Sequence, residues 1–164
     1  MDKTWYAMYV KSRAEKKVAT ELEAAGIDYY LPLQKVLKQW SDRRKWIEEP
    51  LFRSYIFVHI SNDEYYKALQ VYGAVKYITF ESKAVPIPPQ QIEAVRYYLN
   101  EKDPENIDQQ DWEKGKKVEI ISGSMSGLIG ELVDVKGKNR VSVEIDAVNR
   151  VILLKIPKSR LRVL

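Results

Sequence analysis

The 164-residue chain has no cysteine and only one histidine. Without cysteine there can be no disulfide and no thiolate metal site, a usage that fits a cytoplasmic setting. His59 stands alone within an apolar run, so a Cys-His pair and a His-rich zinc cluster are excluded and a Ser-His-Asp triad has no support. It is read as a satisfied sheet residue. No window approaches a membrane span, and Met1-Asp2-Lys3-Thr4-Trp5 has no signal-peptide core, so no membrane partner is expected. Acidic residues are scattered, with no pair that spacing brings together for acid–base work. The glycine-rich stretch Gly123-Ser124-Met125-Ser126-Gly127-Leu128-Ile129-Gly130 lacks the Gly-Lys-Ser/Thr ending and the following helix of a phosphate cradle. A β run, Glu131 to Val135, follows it instead, and the glycines are read as turns and bends. Neither an enzyme nor a cofactor is expected.

Charge is uneven along the chain. Residues 1–100 carry 15 Lys/Arg against 12 Asp/Glu, residues 101–114 carry 2 against 6, and residues 115–164 carry 10 against 5. Two basic modules on an acidic linker follow from this, with polyanion contact open to either; two solvated basic surfaces are the plainer alternative.

Trp5 to Val10 is an apolar run that suits a central strand. Ser12 and Glu15 have capping-box spacing, and Ala14, Val18, Leu22 and Ala25 form a helical stripe closed by Gly26. Ile27 to Leu37 is expected to be one strand with Pro32 at an edge or bulge. It leads into a hairpin tip, Trp40-Ser41-Asp42-Arg43-Arg44-Lys45-Trp46, suited to phosphate contact and base stacking; the alternative is a solvated hairpin whose tryptophans pack on its own stems.

The densest apolar run of the first half follows at 51–60. Ile56, Val58 and Ile60 share one face as core, while Tyr55, Phe57 and His59 share the other, which needs a partner. Ser61 and Glu64 repeat the capping box before a stripe of Tyr65, Ala68, Leu69 and Tyr72. Val75 to Phe80 is a further strand, and Pro89 opens a third helix with stripe Ile92, Val95 and Leu99. Residues 1–100 therefore form an α+β domain, one antiparallel sheet packed with three helices. Residues 101–111 form an acidic linker. Residues 112–164 hold five short β-branched runs, which indicates a small SH3-like five-stranded barrel.

Two motifs stand in order. Trp5-Tyr6-x-x-Tyr9 with Lys11, the following helix, and Pro50-Leu51-Phe52-x-x-Tyr55-x-Phe57-Val58 resemble the N-terminal domain of the NusG family. Gly115-x-x-Val118-x-Ile120-x-x-Gly123-x-x-x-Gly127-x-x-Gly130-Glu131 resembles the KOW motif that opens that family's C-terminal barrel. The resemblance implies a transcription elongation or antitermination factor that grips the β′ clamp helices of RNA polymerase, touches its β subunit and raises processivity. Phe52, Tyr55 and Phe57 would make the clamp-helix contact. The KOW loop with Gly123, Met125, Gly127 and Gly130 would take ribosomal protein S10 or Rho.

Arg53-Ser54 in place of the family's Pro-Gly, and Gly123-Ser124-Met125 in place of Gly-Pro-Phe, weigh against Rho. They point towards operon-specific paralogues of the RfaH and UpxY kind. Such members imply non-template DNA binding at Lys11, Arg13 and Lys17, with Arg43, Arg44 and Lys45 as an addition. A general housekeeping factor and an RNA-binding or ribosome-associated KOW module remain the alternatives. RfaH's refolding of its C-terminal domain into helices is not expected here, because Val141, Val143, Ile145, Val151 and Ile152 favour strands.

Overall fold

The computed structural model describes residues 2–101 and 115–164; apart from Glu101, the expected linker lies outside them. Contacts divide the chain into two units, one ending at Ile87 and one beginning at Pro88.

In the first unit, β1 (Thr4–Val10) lies between β5 (Tyr55–Ile60) and β6 (Ala74–Tyr77), and β2 (Asp28–Tyr30) pairs on the far side of β5. Every pairing in this four-stranded sheet is antiparallel. Helices α1 (Glu15–Ala24) and α2 (Tyr65–Leu69) supply Val18, Leu22 and Ala68 to a core completed by Met8, Val10, Ile56, Val58, Ile60 and Tyr77. The aliphatic face of β5 is thus core, as its alternation requires.

The strand expected over 27–37 is divided. β2 stops before Leu31-Pro32, and β3 (Leu33–Gln39) starts a separate two-stranded ribbon with β4 (Arg44–Pro50). Pro32 has no N–H to continue a ladder, so the chain changes sheets there. The strand expected from Leu51 begins only at Tyr55, because Ser54 takes φ 68 and breaks the extended backbone. The strand expected over 75–80 also divides: β7 (Thr79–Phe80) pairs with β8 (Lys83–Ala84) around Glu81 and Ser82, both at positive φ.

The two capping boxes fare differently. At Ser61 the box forms, with the Ser61 N–H donating to Glu64 Oε1 at 3.1 Å. At Ser12 it does not: Arg13 takes φ 63, and Ala14 is the cap residue with no side-chain cap bond. Glu15 is buried and accepts the Ser54 N–H at 2.9 Å instead. That donor, half-buried in a left-handed turn, needs the acceptor more than a solvated helix end does.

Tyr77 is buried, stacks on Tyr65 with centroids 4.3 Å apart, and donates its hydroxyl to the Tyr65 carbonyl at 2.7 Å. Burial, with Tyr65 and Tyr6 nearby, holds its pKa above the ordinary value. The folded state then binds this proton more tightly than the unfolded chain. Stability is full below about pH 10, the unfolded value, and is lost as pH rises through the folded value. Thermal melts from pH 8 to 12 should show Tm falling above about pH 10, with a shallower fall in Tyr77→Phe. Equal slopes would remove Tyr77 as a source of the alkaline loss.

In the second unit, β9 (Lys117–Ile120), β10 (Ile129–Val135), β11 (Lys138–Ile145), β12 (Arg150–Leu154) and β13 (Leu161–Val163) form an antiparallel sheet in the order β12-β11-β10-β9-β13. All five expected strands are present. Among the described residues no pairing joins β12 to β13, so closure into a barrel is not part of the observed ladder. Helix α3 (Pro89–Asn100), expected with the first hundred residues, groups with this unit. Tyr97 donates to the Lys155 carbonyl at 2.5 Å, and Glu101 accepts the Lys155 N–H at 2.6 Å. These two side chains satisfy backbone groups just beyond β12, where the ladder has ended.

Candidate functional site

The aromatic face of β5 pairs in register with β1, which sets Tyr55 opposite Tyr9, Phe57 opposite Ala7 and His59 opposite Trp5. Tyr9 and Tyr55 meet edge-on at 5.8 Å, and His59 lies flat against Trp5 at 4.6 Å. Of the three expected aromatic anchors only Tyr55 keeps exposed surface. Phe57 is 0% exposed and Phe52 is 4% exposed. Their rings meet edge-on at 6.0 Å, and Phe57 also stacks on Tyr30 at 6.4 Å. The expectation of a bare aromatic face is corrected here: its centre is packed, and Tyr9 and Tyr55 are what a partner can reach. Tyr9 is absent from the expected site; period two in the first motif groups it with Trp5, and only the register with β5 puts it beside Tyr55.

The first basic group is built around a residue that periodicity assigned to a helical stripe. α2 ends at Leu69, and Tyr72 lies beyond it, 63% exposed. Lys11, just past β1, donates its N–H to the Gly73 carbonyl at 2.9 Å, and this bond brings the loop across the end of the strand. The Nζ atoms of Lys11 and Lys17 each lie 4.8 Å from the Tyr72 ring centroid. Two ammonium groups on one exposed ring make a compact cationic and aromatic surface. Arg13 does not join it. It lines a cleft of about 490 Å³ with Lys16, Arg53, Glu48 and Glu49, where α1 approaches the base of β4.

The second basic group is the tip of the β3–β4 ribbon. The Trp40 N–H donates to the Arg43 carbonyl at 2.8 Å and closes the turn, and the Arg43 guanidinium lies 5.6 Å from the Trp40 ring. Arg44 pairs with Gln39 and Lys45 with Lys38. Trp46 is 65% exposed, so it does not pack on the stems.

In the second unit Gly123 and Gly127 take φ 82 and 94, as turns there require. Gly130 is different. It lies within β10, and a Cβ built on it would come 2.6 Å from both the Ser142 carbonyl oxygen and Val141 Cγ1. Its role is close strand packing rather than a bend. Met125, expected as a contact residue, is 2% exposed. Its apolar side chain turns inward, and the loop's backbone donors are taken within the unit: Ser126 donates to Gly123, Gly127 to Ile120 and Leu128 to Met125. Those N–H groups cannot cradle a phosphate. Arg160 clasps the loop through Ser122 Oγ at 3.1 Å and the Ser122 carbonyl at 3.0 Å. Ile121 and Ile129 carry the exposed apolar surface beside it.

Among the described residues no group of three His, Cys, Asp or Glu side chains could hold a metal ion. None of the described helices is long and apolar enough to cross a membrane.

A family model described as "Transcription termination factor nusG" matches residues 3–96. The chain belongs to the NusG family. This is a family of transcription factors rather than enzymes. A curated relative, the transcription termination/antitermination protein NusG of Halalkalibacterium halodurans, is 20% identical over 165 residues and is covered to 92% on both sides. The structure titled "Domain interaction in Thermotoga maritima NusG" shares the fold at a TM-score of 0.55 with 20% identity, covering 99% of this chain and 97% of that one. The MjSpt4:Spt5 complex in conformation B matches at a TM-score of 0.33 with 18% identity, covering 98% and 96%.

As a NusG-family chain, the protein departs from the usual Pro-Gly at Arg53-Ser54, and the structure shows how it accommodates the change. Ser54 adopts the left-handed conformation that glycine takes without steric cost, at φ 68, and Glu15 anchors its N–H.

Proposed function

We propose that this protein is a NusG-type transcription termination/antitermination factor that binds RNA polymerase through the Tyr9–Tyr55 face of its first sheet. The observation that carries this is the edge-on pair at 5.8 Å, Tyr9 exposed and Tyr55 half-buried, on the sheet face opposite the helix-packed core, within the span matched by the family. An apolar surface with polar tips suits burial against the β′ clamp helices, with the β subunit as the second contact. Phe57 lies on the same face of β5 as Tyr55 and is packed against Phe52 and Tyr30.

The partition into a polymerase-binding module over 1–100, a linker over 101–111 and a KOW module over 112–164, closed as a barrel, belongs to the same proposal. The finer reading is an operon-specific paralogue of the RfaH and UpxY kind, acting in the cytoplasm. Arg53-Ser54 and Gly123-Ser124-Met125 support it over a general factor. Lys11, Lys17 and Tyr72 suit exposed non-template DNA, since cations can hold phosphates while a ring stacks on a base, and Arg13, in the separate cleft beside α1, is proposed as a further phosphate contact. For the KOW unit, Ile121 and Ile129 offer surface to ribosomal protein S10, and Rho is not proposed.

Capture of core RNA polymerase by tagged full-length protein tests the main reading. Wild type should bind, and Tyr9→Ala with Tyr55→Ala should weaken binding by roughly 1–4 kcal/mol if the pair is a hot spot. Failure of the folded wild type to capture polymerase would sink it. Transcription through the operon that carries the protein's own gene, compared with an unrelated template, tests the finer reading; equal effects on both would favour a general factor.

A further inference from the structure

The β3–β4 ribbon pairs over its whole length, from Leu33 opposite Pro50 to Gln39 opposite Arg44, and these strands pair only with each other. Seven residues per strand make a projection on the order of 24 Å long. Its base is tied down: the Leu51 N–H donates to the Pro32 carbonyl at 2.9 Å, and Lys16 Nζ reaches the Glu48 carbonyl at 2.7 Å. Residues directly opposite share a face, so the ribbon has two distinct sides. One holds Val36 and Ile47, both half-buried, with Lys38 and Glu49 3.6 Å apart. The other presents Trp46, 65% exposed, opposite Leu37, 42% exposed, with Arg44 and Gln39 next towards the tip.

An exposed tryptophan on a narrow ribbon, beside a tip with four cations and one carboxylate over residues 38–45, is an unusual use of apolar surface. We infer that this face binds single-stranded nucleic acid, with one base stacked on Trp46 and the adjoining phosphates held by Arg44 on the same face and by Arg43 at the tip. Size favours this over a protein partner. One indole and one leucine fall far short of the roughly 800 Å² that each side of a stable protein interface buries, but they match the face of a base. Charge favours a polyanion. A single strand is preferred to a duplex because both faces of a duplex base are already covered by its neighbours. The inference stands on the ribbon alone and does not require polymerase binding or the Lys11–Tyr72–Lys17 surface.

Fluorescence anisotropy of full-length protein with labelled twelve-nucleotide oligo-dT, oligo-rU and a mixed-sequence duplex of equal length provides the test. Wild type should bind at least one of the two single strands more tightly than the duplex, and the two single-strand arms separate DNA from RNA. Trp46→Ala, at an exposed site where folding is not at stake, should weaken binding roughly 5- to 150-fold, the range spanned by base–aromatic stacking. Arg44→Gln should weaken it and reduce the slope of log affinity against log salt by about 0.7. Polymerase capture should be unchanged in both variants, which separates this inference from the polymerase reading. Unaltered affinity in Trp46→Ala, or a duplex bound as tightly as both single strands, would overturn it. So would loss of polymerase capture in Trp46→Ala with oligonucleotide binding intact, which would make the ribbon a protein-docking element.

Discussion

Truncating Phe57 to alanine is expected to destabilise the first unit by about 3–5 kcal/mol, measured by urea or thermal unfolding. The ring is 0% exposed on a strand flanked by two others, with Ala7 opposite it on β1 and Tyr30 opposite it on β2. It packs on Tyr30 at 6.4 Å and Phe52 at 6.0 Å, so its removal forfeits both the transfer free energy of a buried aromatic and the contacts lining the void. Domain stabilities are typically 5–15 kcal/mol, so a loss of this size reaches a large share of the total. A consequence for binding experiments follows: lost polymerase capture in Phe57→Ala reports unfolding as readily as a lost contact. Tyr9 and Tyr55 are the positions where binding can be separated from folding. A loss below about 1 kcal/mol in Phe57→Ala would mean that the ring is not packed in solution as described.

Gly130→Ala should destabilise the second unit by about 1–3 kcal/mol. The added methyl would meet a backbone carbonyl at 2.6 Å, Val141 Cγ1 at 2.6 Å and Val143 Cγ2 at 3.3 Å. None of these three obstacles can swing aside as the end of a lysine could. The carbonyl belongs to β11, and β-branched valines have few alternative rotamers. The strands must separate locally, which strains the ladder that runs from Glu131 opposite Ser142 to Val135 opposite Lys138. A thermal melt monitored through the second unit's amide exchange would show the lowered midpoint. An unchanged midpoint would contradict the close approach of β10 and β11.

Much of this architecture was legible in the residues. Alternation in Tyr55–Ile60 separated the core face from the aromatic face, Pro89 marked the start of α3, and β-branched runs located all five strands of the second unit. These signals are local: periodicity and capping act over a few residues, where the chain's own geometry dominates. The misreadings share a physical cause. Ser12 and Glu15 satisfy a spacing rule, yet Glu15 was claimed by Ser54, a donor 39 positions away. Tyr72 fits a helical stripe, yet the helix ended at Leu69 and freed the ring to lie beside Lys11 and Lys17. Met125 and Phe57 were candidates for exposed contacts, but burial is decided by what folds over a residue, and alternation cannot reveal that.

The class of this protein is carried by its residues alone: an α+β first half, a β second half, no cysteine chemistry, and an N-terminal motif of the NusG family. Which aromatic and basic side chains are available depends on packing between distant segments. Packing around Phe52 and Phe57 leaves Tyr9 and Tyr55 at the surface, and the separate pairing of β3 with β4 leaves Trp46 exposed beside Arg44. Local patterns set which face a side chain occupies, but exposure depends on contacts between segments far apart in the chain, where several competing partners satisfy the same local rule.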